Sequence, residues 1–152
     1  MRVDDIVILV GGRGLRIDKL TKKIPKPLIK IGSKTFLDQL ISKLIKYNFK
    51  NIYLLCSYKK NIFFNKYHKS KIHNSQIICI DEGVQKDTGG ALYKLRNRIK
   101  KNFILINGDT FFDIDLNKIT SMKMGKSIGI IALTYSKNLI NNNKINNLTL
   151  NT

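Results

Sequence analysis

This sequence has no long apolar run: nothing in it approaches the roughly 18 uninterrupted residues that a membrane-spanning helix requires. Its first residues, Met1-Arg2-Val3-Asp4-Asp5, carry two acids before a short apolar stretch and lack the small-residue cleavage pattern of a secretory leader. The chain is therefore read as cytoplasmic. Cysteine is scarce. Cys56 and Cys79 both lie in apolar runs without the neighbours of a metal site, which makes them buried free thiols.

Acids are scarce too. Ten Asp and Glu stand against 28 Lys and Arg, a net charge of +18 and an isoelectric point near 10.0. Such a balance raises nucleic acid as a partner. However, the chain is rich in Lys, Asn and Ile together, residues with A/T-heavy codons, and its lysines are dispersed without the interleaved aromatics of a single-strand platform. A basic nucleic-acid binder is thus the lesser reading. The charge still favours an anionic substrate. At 43% hydrophobic and 25% charged over 152 residues, the chain has enough for one domain with a buried core.

Apolar patterning gives the order of elements. Asp5–Val10 is a continuous apolar run, expected for a strand buried on both faces, and it stops at Gly11-Gly12-Arg13-Gly14. An irregular loop follows as far as Pro25-Lys26-Pro27. Phe36, Leu37, Leu40, Ile41, Leu44 and Ile45 recur at helical spacing, with Ser33 or Thr35 as the N-cap. Further strands are expected at 51–56, 75–81, 103–106 and 127–135, and helices at 59–68, from Thr88 (inner face Ala91, Leu92, Leu95 and Ile99), and after Asp115. The alternation predicts an α/β, Rossmann-like layered fold with a mostly parallel central sheet. Ligands of such sheets sit beyond the carboxyl ends of the strands, where Gly11-Gly12, Glu82 and Asp109 should converge.

The chemistry concentrates in Gly11-Gly12-Arg13-Gly14-Leu15-Arg16 and Pro25-Lys26-Pro27. Glycines after a buried strand let several backbone N–H groups point one way and cradle phosphate oxygens. Arg16 can fork onto a phosphate and Lys26 supplies a compact charge, its backbone stiffened by the two flanking prolines. A dinucleotide fingerprint is excluded because Ile17 stands where its third glycine belongs, and a P-loop because no Gly-Lys-Ser/Thr follows. His68 and His73 lie in a lysine-rich stretch and read as surface residues.

These residues resemble the signature of sugar-1-phosphate nucleotidyltransferases, Gly-Gly-x-Gly-Thr-Arg-Leu followed by Pro-Lys-Pro, with Leu15 replacing the threonine. Two further segments agree in order: Glu82–Leu92 with the family's Glu-x-x-Pro-Leu-Gly-Thr-Gly-Gly-Ala, and Asn107-Gly108-Asp109 with its Asp/Asn-Gly-Asp. The wording around Thr88-Gly89-Gly90-Ala91 and Asn107–Leu116 is most similar to the branch that guanylylates D-glycero-D-manno-heptose 1-phosphate, with mannose-1-phosphate guanylyltransferases close behind. The resemblance implies Arg16 and Lys26 as catalytic residues, and Gly11, Gly12, Gly14, Glu82, Thr88, Gly89 and Gly90 as nucleotide-binding. It implies Asp109 as the ligand of Mg²⁺. Glu82 would face the base, where a carboxylate can accept from both N1–H and N2–H₂ of guanine.

The implied reaction is nucleotidyl transfer from GTP to a sugar 1-phosphate, yielding pyrophosphate and an NDP-sugar for surface polysaccharide. Homo-oligomerisation is left open. Three departures stand against the family pattern. Leu15 removes a hydroxyl, Asp87 replaces a glycine, and no second metal-binding aspartate occurs in an Asp-x-Gly-Thr-Pro context. Residues 1–136 are thus expected to form the nucleotide-binding domain and 137–152 an Asn-rich tail, with the sugar-binding half absent. The alternative is a catalytically inactive remnant or one half of a heteromeric enzyme.

Overall fold

The computed structural model describes residues 3–14, 21–83 and 88–132. The chain divides after Ser121 into two compact units, and every regular element among the described residues lies in the first. Among those residues no helix is long and apolar enough to cross a membrane.

The sheet is built from β1 (Asp5–Leu9), β4 (Asn51–Cys56), β6 (Ser75–Asp81) and β7 (Phe103–Asn107), all parallel, with the two-residue β5 (Lys71–Ile72) antiparallel on one edge. Its order is β5-β6-β4-β1-β7. A separate two-strand ribbon joins β2 (Lys30–Ile31) to β3 (Lys34–Thr35). Register pairs Ile6 with Ile52 on one side of β1 and with Ile104 on the other.

The apolar run of β1 has a physical cause: both faces of the sheet are covered. Ile6 and Ile8 join Ile52, Leu54 and Ile77 against α1 (Phe36–Ile45), whose Leu37, Leu40, Ile41 and Leu44 are almost wholly buried. Val7, Tyr53, Leu55 and Ile80 face the other way and meet Ala91, Leu95 and Ile99. Each buried Val, Leu or Ile among them contributes roughly 1.5–3 kcal/mol by leaving water. The mostly parallel, layered α/β fold expected from the sequence is the one observed.

Thr35, not Ser33, caps α1: its hydroxyl accepts from Asp38 N–H at 3.1 Å, and Asp38 Oδ2 accepts from Thr35 N–H at 3.3 Å, a reciprocal capping box. The helix expected at 59–68 is α2, Lys60–Tyr67. Asp115 Oδ1 accepts from Asn117 N–H at 3.0 Å and caps α4, Leu116–Ser121.

Two expectations need correction. The helix from Thr88 is shorter than its apolar spacing suggests: α3 covers Thr88–Tyr93, and tighter turns carry the chain on, with Leu95 N–H donating to Leu92 O. Ala91, Leu95 and Ile99 are buried as expected, but the outer face places Lys94 with Arg98 and Arg96 with Lys100 at i,i+4, like charges that work against helix continuation. The strand expected at 127–135 is not a strand over 127–132; residues 133–135 lie outside the described residues. Apolar residues make a strand only where a neighbour accepts the ladder, and 127–132 join none.

Candidate functional site

After β1 the chain runs outward to β4 and β6, then returns to the opposite side of β1 as β7. That reversal leaves a crevice beyond the carboxyl ends of β1 and β7, where neighbouring connections leave in opposite directions. The crevice has a volume of about 230 Å³. Gly11, Gly12, Gly14, Lys26, Glu82, Thr88 and Asp109 all line it, with Asn107 beside Asp109.

Asp109 follows β7 through Gly108, a position with no room for a side chain. A Cβ there would stand 2.6 Å from Val10 Cγ1 and 2.8 Å from the Leu9 carbonyl, and Gly108 N–H donates to that carbonyl at 2.9 Å. The close approach fixes the end of β7 against β1 and sets where Asp109 begins. Lys26, which opens a 3-10 turn after Pro25, reaches across so that its Nζ lies 2.8 Å from Asp109 Oδ2. The two residues are 83 positions apart in sequence. The Lys26 hydrogen bond and its charge hold the Asp109 carboxyl below the ordinary carboxylate range, against a smaller opposing effect of burial. Both side chains keep about 40% exposure, so the pair is accessible to a ligand from solvent.

The glycines differ among themselves. Gly14 has a left-handed backbone (φ 65°), and a Cβ there would crowd Thr21 Cγ2 at 3.2 Å and Lys26 Cβ at 3.3 Å. Gly11 packs on Glu82, where a Cβ would meet the carboxylate at 2.8–3.1 Å. A Cβ on Gly12 or Gly89 would find nothing within 4 Å. Glu82 is buried to 5% exposure, and its backbone N–H donates to Cys56 O at 2.9 Å. Burial, followed by the charge of Asp81, pushes its carboxyl above the usual range. Asp81 itself is held down first by Lys60, 2.5 Å away, and then by Gly83 N–H.

The sequence-derived set therefore falls into three groups. Seven members meet in the crevice. Gly89 and Gly90 lie in the first turn of α3, behind Thr88, and do not line it. Arg16 lies outside the described residues, as do Leu15 and Asp87. His73 is exposed, as the sequence suggested, but His68 is half-buried: its Nδ1 accepts from Cys79 N–H at 3.1 Å and its ring packs on Phe64. Neither histidine lines the crevice. Cys56 and Cys79 are buried free thiols, as expected.

Residues with no sequence signal also belong here. Thr21 Oγ1 donates to Gly14 O at 3.3 Å, and Tyr58 fastens the same loop from outside the crevice. Their role rests on backbone carbonyls, which no local spacing of side chains reveals.

Among the described residues no cluster of three His, Cys, Asp or Glu side chains could hold a metal ion. Asp109 nevertheless carries the carboxylate oxygens that hard divalent cations prefer. A dedicated protein cage is not required for that chemistry.

Comparison with known proteins bears on the family and the fold. The sequence profile described as Nucleotidyl transferase matches residues 5–139. The D-glycero-alpha-D-manno-heptose 1-phosphate guanylyltransferase of Campylobacter jejuni is 37% identical over 113 residues, 74% of this chain and 51% of the relative. The bifunctional protein GlmU of Methanococcus aeolicus is 38% identical over 117 residues, 77% of this chain and 27% of the relative. Among solved structures, HddC from Yersinia pseudotuberculosis complexed with GMP-PN superposes with a TM-score of 0.68 at 36% identity, covering 77% of this chain and 52% of HddC. The chain thus spans about half the length of the heptose 1-phosphate guanylyltransferase and about a quarter of GlmU.

Proposed function

The chain belongs to the nucleotidyl transferase family, and on that premise we propose that its crevice grips GTP and serves guanylyl transfer to a sugar 1-phosphate, D-glycero-D-manno-heptose 1-phosphate. The observation that carries the reading is the meeting of Lys26 and Asp109, 2.8 Å apart, beside the glycine loop at the carboxyl ends of β1 and β7. A nucleoside triphosphate needs a backbone cradle, fixed positive charge and a site for a divalent cation. The described residues that line this crevice supply one of each.

In this reading Gly11, Gly12 and Gly14 present backbone to the phosphates. The bare Cα of Gly12 leaves the approach open. Lys26 and Arg16 neutralise the charge that builds on the departing pyrophosphate. Asp109 would hold Mg²⁺, which would supply positive charge to offset that of the phosphates. Glu82 would accept from the guanine edge, while Thr88 walls the crevice at the head of α3 and Gly89 and Gly90 keep its first turn slim.

The sugar-phosphate oxygen attacks the α-phosphorus, the bond to the β-phosphate oxygen breaks, and pyrophosphate leaves. The nucleophile is already an anion, so no general base is needed, and positioning carries the rate. Support for guanine comes from the heptose 1-phosphate guanylyltransferase likeness, which 36–37% identity makes closer than a fold match.

Pyrophosphate release in the presence of GTP, Mg²⁺ and D-glycero-D-manno-heptose 1-phosphate tests this. Release that Lys26→Ala abolishes is expected. GTP binding without release from any sugar 1-phosphate would leave the grip and remove the transfer.

A further inference from the structure

Tyr58 and Lys59 follow β4, outside the crevice, and neither resembles a catalytic motif. Their hydrogen bonds nevertheless converge on the glycine loop from both of its described ends. Tyr58 N–H donates to Gly11 O at 3.3 Å. The Tyr58 hydroxyl shares its hydrogen between the carbonyls of Thr21 (3.1 Å) and Lys22 (3.3 Å). Lys59 Nζ donates to the carbonyls of Lys22 (2.6 Å) and Lys23 (3.1 Å). Arg13 Cζ lies 6.0 Å from the Tyr58 ring centroid, at the outer range of a cation–π contact.

Resting on the proposed triphosphate grip, we infer that Tyr58 and Lys59 are positioning residues that fasten the start and the return of this loop to the end of β4, and so set the place of Lys26. The line of force is short. Thr21 is held by Tyr58, its hydroxyl donates to Gly14 O, and Gly14 stands so close to Lys26 that a Cβ would sit 3.3 Å from Lys26 Cβ. Lys26 is three residues beyond Lys23, at the turn that aims its ammonium toward Asp109.

The chemistry of Lys59 suits this task. Among the described residues its ammonium takes no carboxylate; it is directed at two backbone carbonyls, each of which gains a charge-assisted bond. Its backbone stands in the left-handed region (φ 50°), uncommon for a residue with a Cβ. A carbonyl so held cannot turn toward the crevice and repel a phosphate. Cinching the described ends of the loop keeps the Gly11 and Gly12 N–H groups and Lys26 in register with an anion before one arrives, lowering the ordering cost of binding.

The test is calorimetry of the full chain with Mg²⁺ and either GTP or inorganic tripolyphosphate, using Tyr58→Phe, Lys59→Met and Lys59→Arg. Amide NMR spectra of the unliganded variants accompany it. Tyr58→Phe and Lys59→Met are expected to weaken both ligands about tenfold, the scale of one lost hydrogen bond. Lys59→Arg, which keeps donors in place, is expected to recover most of the loss. Amide shifts should change at Gly11, Gly12, Gly14, residues 21–24 and Lys26, and leave β6 and β7 untouched. Unchanged affinity overturns the inference, as do shifts spread through the whole sheet, which would mark a general structural role. If the unsubstituted chain binds neither GTP nor tripolyphosphate, the phosphate site itself fails and the inference falls with it.

Discussion

Replacing Gly108 with alanine tests the packing that positions Asp109. The added Cβ would lie 2.6 Å from Val10 Cγ1 and 2.8 Å from Leu9 O, where ordinary carbon contacts lie near 3.5–4.0 Å. Val10 is 1% exposed and the Leu9 carbonyl belongs to the β1 backbone, so neither has free space to retreat into. Roughly 1 Å of displacement between β1 and β7 is needed, an overpacking that costs about 1–3 kcal/mol. For a chain of this size about 2 kcal/mol lowers Tm by roughly 4–8 °C. The matched control is Gly12→Ala, where a Cβ meets nothing within 4 Å and φ is not in the left-handed region. Its stability should stay within about 0.5 kcal/mol, as for a surface change, while GTP affinity falls. Calorimetric melting of both variants decides the matter. Equal Tm values for Gly108→Ala and the unsubstituted chain would refute the claim that the β1–β7 junction has no room.

Other perturbations follow from the same geometry. Lys26→Met removes the chief cause of the lowered Asp109 pKa, so a carbon-detected titration should show that carboxyl moving upward toward the ordinary value. At Asp38 burial would raise the pKa, but hydrogen bonds from Lys66, Tyr67 and Thr35 outweigh it and bring it to about 2. A depressed carboxyl stabilises the fold above its unfolded value near 3.8 and loses that contribution as pH falls toward 2. Tyr67→Phe should therefore cost about 1–2 kcal/mol in urea unfolding at pH 7, and the difference should shrink as pH falls through that window. Glu82 titrates above the ordinary range because it is buried, and protonation removes an acceptor. The ratio of GTP to ATP affinity should thus decline on acidification sooner than an exposed glutamate would allow, and Glu82→Gln should abolish that pH dependence.

Most of the fold was legible because apolar periodicity reports burial directly. The unbroken run of β1 signalled cover on both faces, and the spacing from Phe36 to Ile45 named the inner face of α1. Periodicity does not report partners. The apolar-run reading that found β7 also suggested a strand at 127–135, where 127–132 join no ladder. Helix length also escaped it, since the charges on 94–100 act against continuation while the buried positions keep their spacing.

The crevice was legible for a topological reason. Gly11, Glu82 and Asp109 each follow the carboxyl end of a strand, and once the strands are parallel those ends share one side. The Lys26–Asp109 pair was not legible as a contact, because nothing local joins positions 83 apart. Tyr58 and Lys59 were missed altogether. They act on backbone carbonyls, which every residue carries, so composition leaves no mark of them.

The most direct test of the triphosphate grip is an amide NMR titration of the isotopically labelled chain with GTP and Mg²⁺, repeated on Lys26→Ala. The account predicts saturable shifts centred on Gly11, Gly12, Gly14 and Asp109, lost in the variant. Shifts absent, or confined to surfaces away from the ends of β1 and β7, would contradict it.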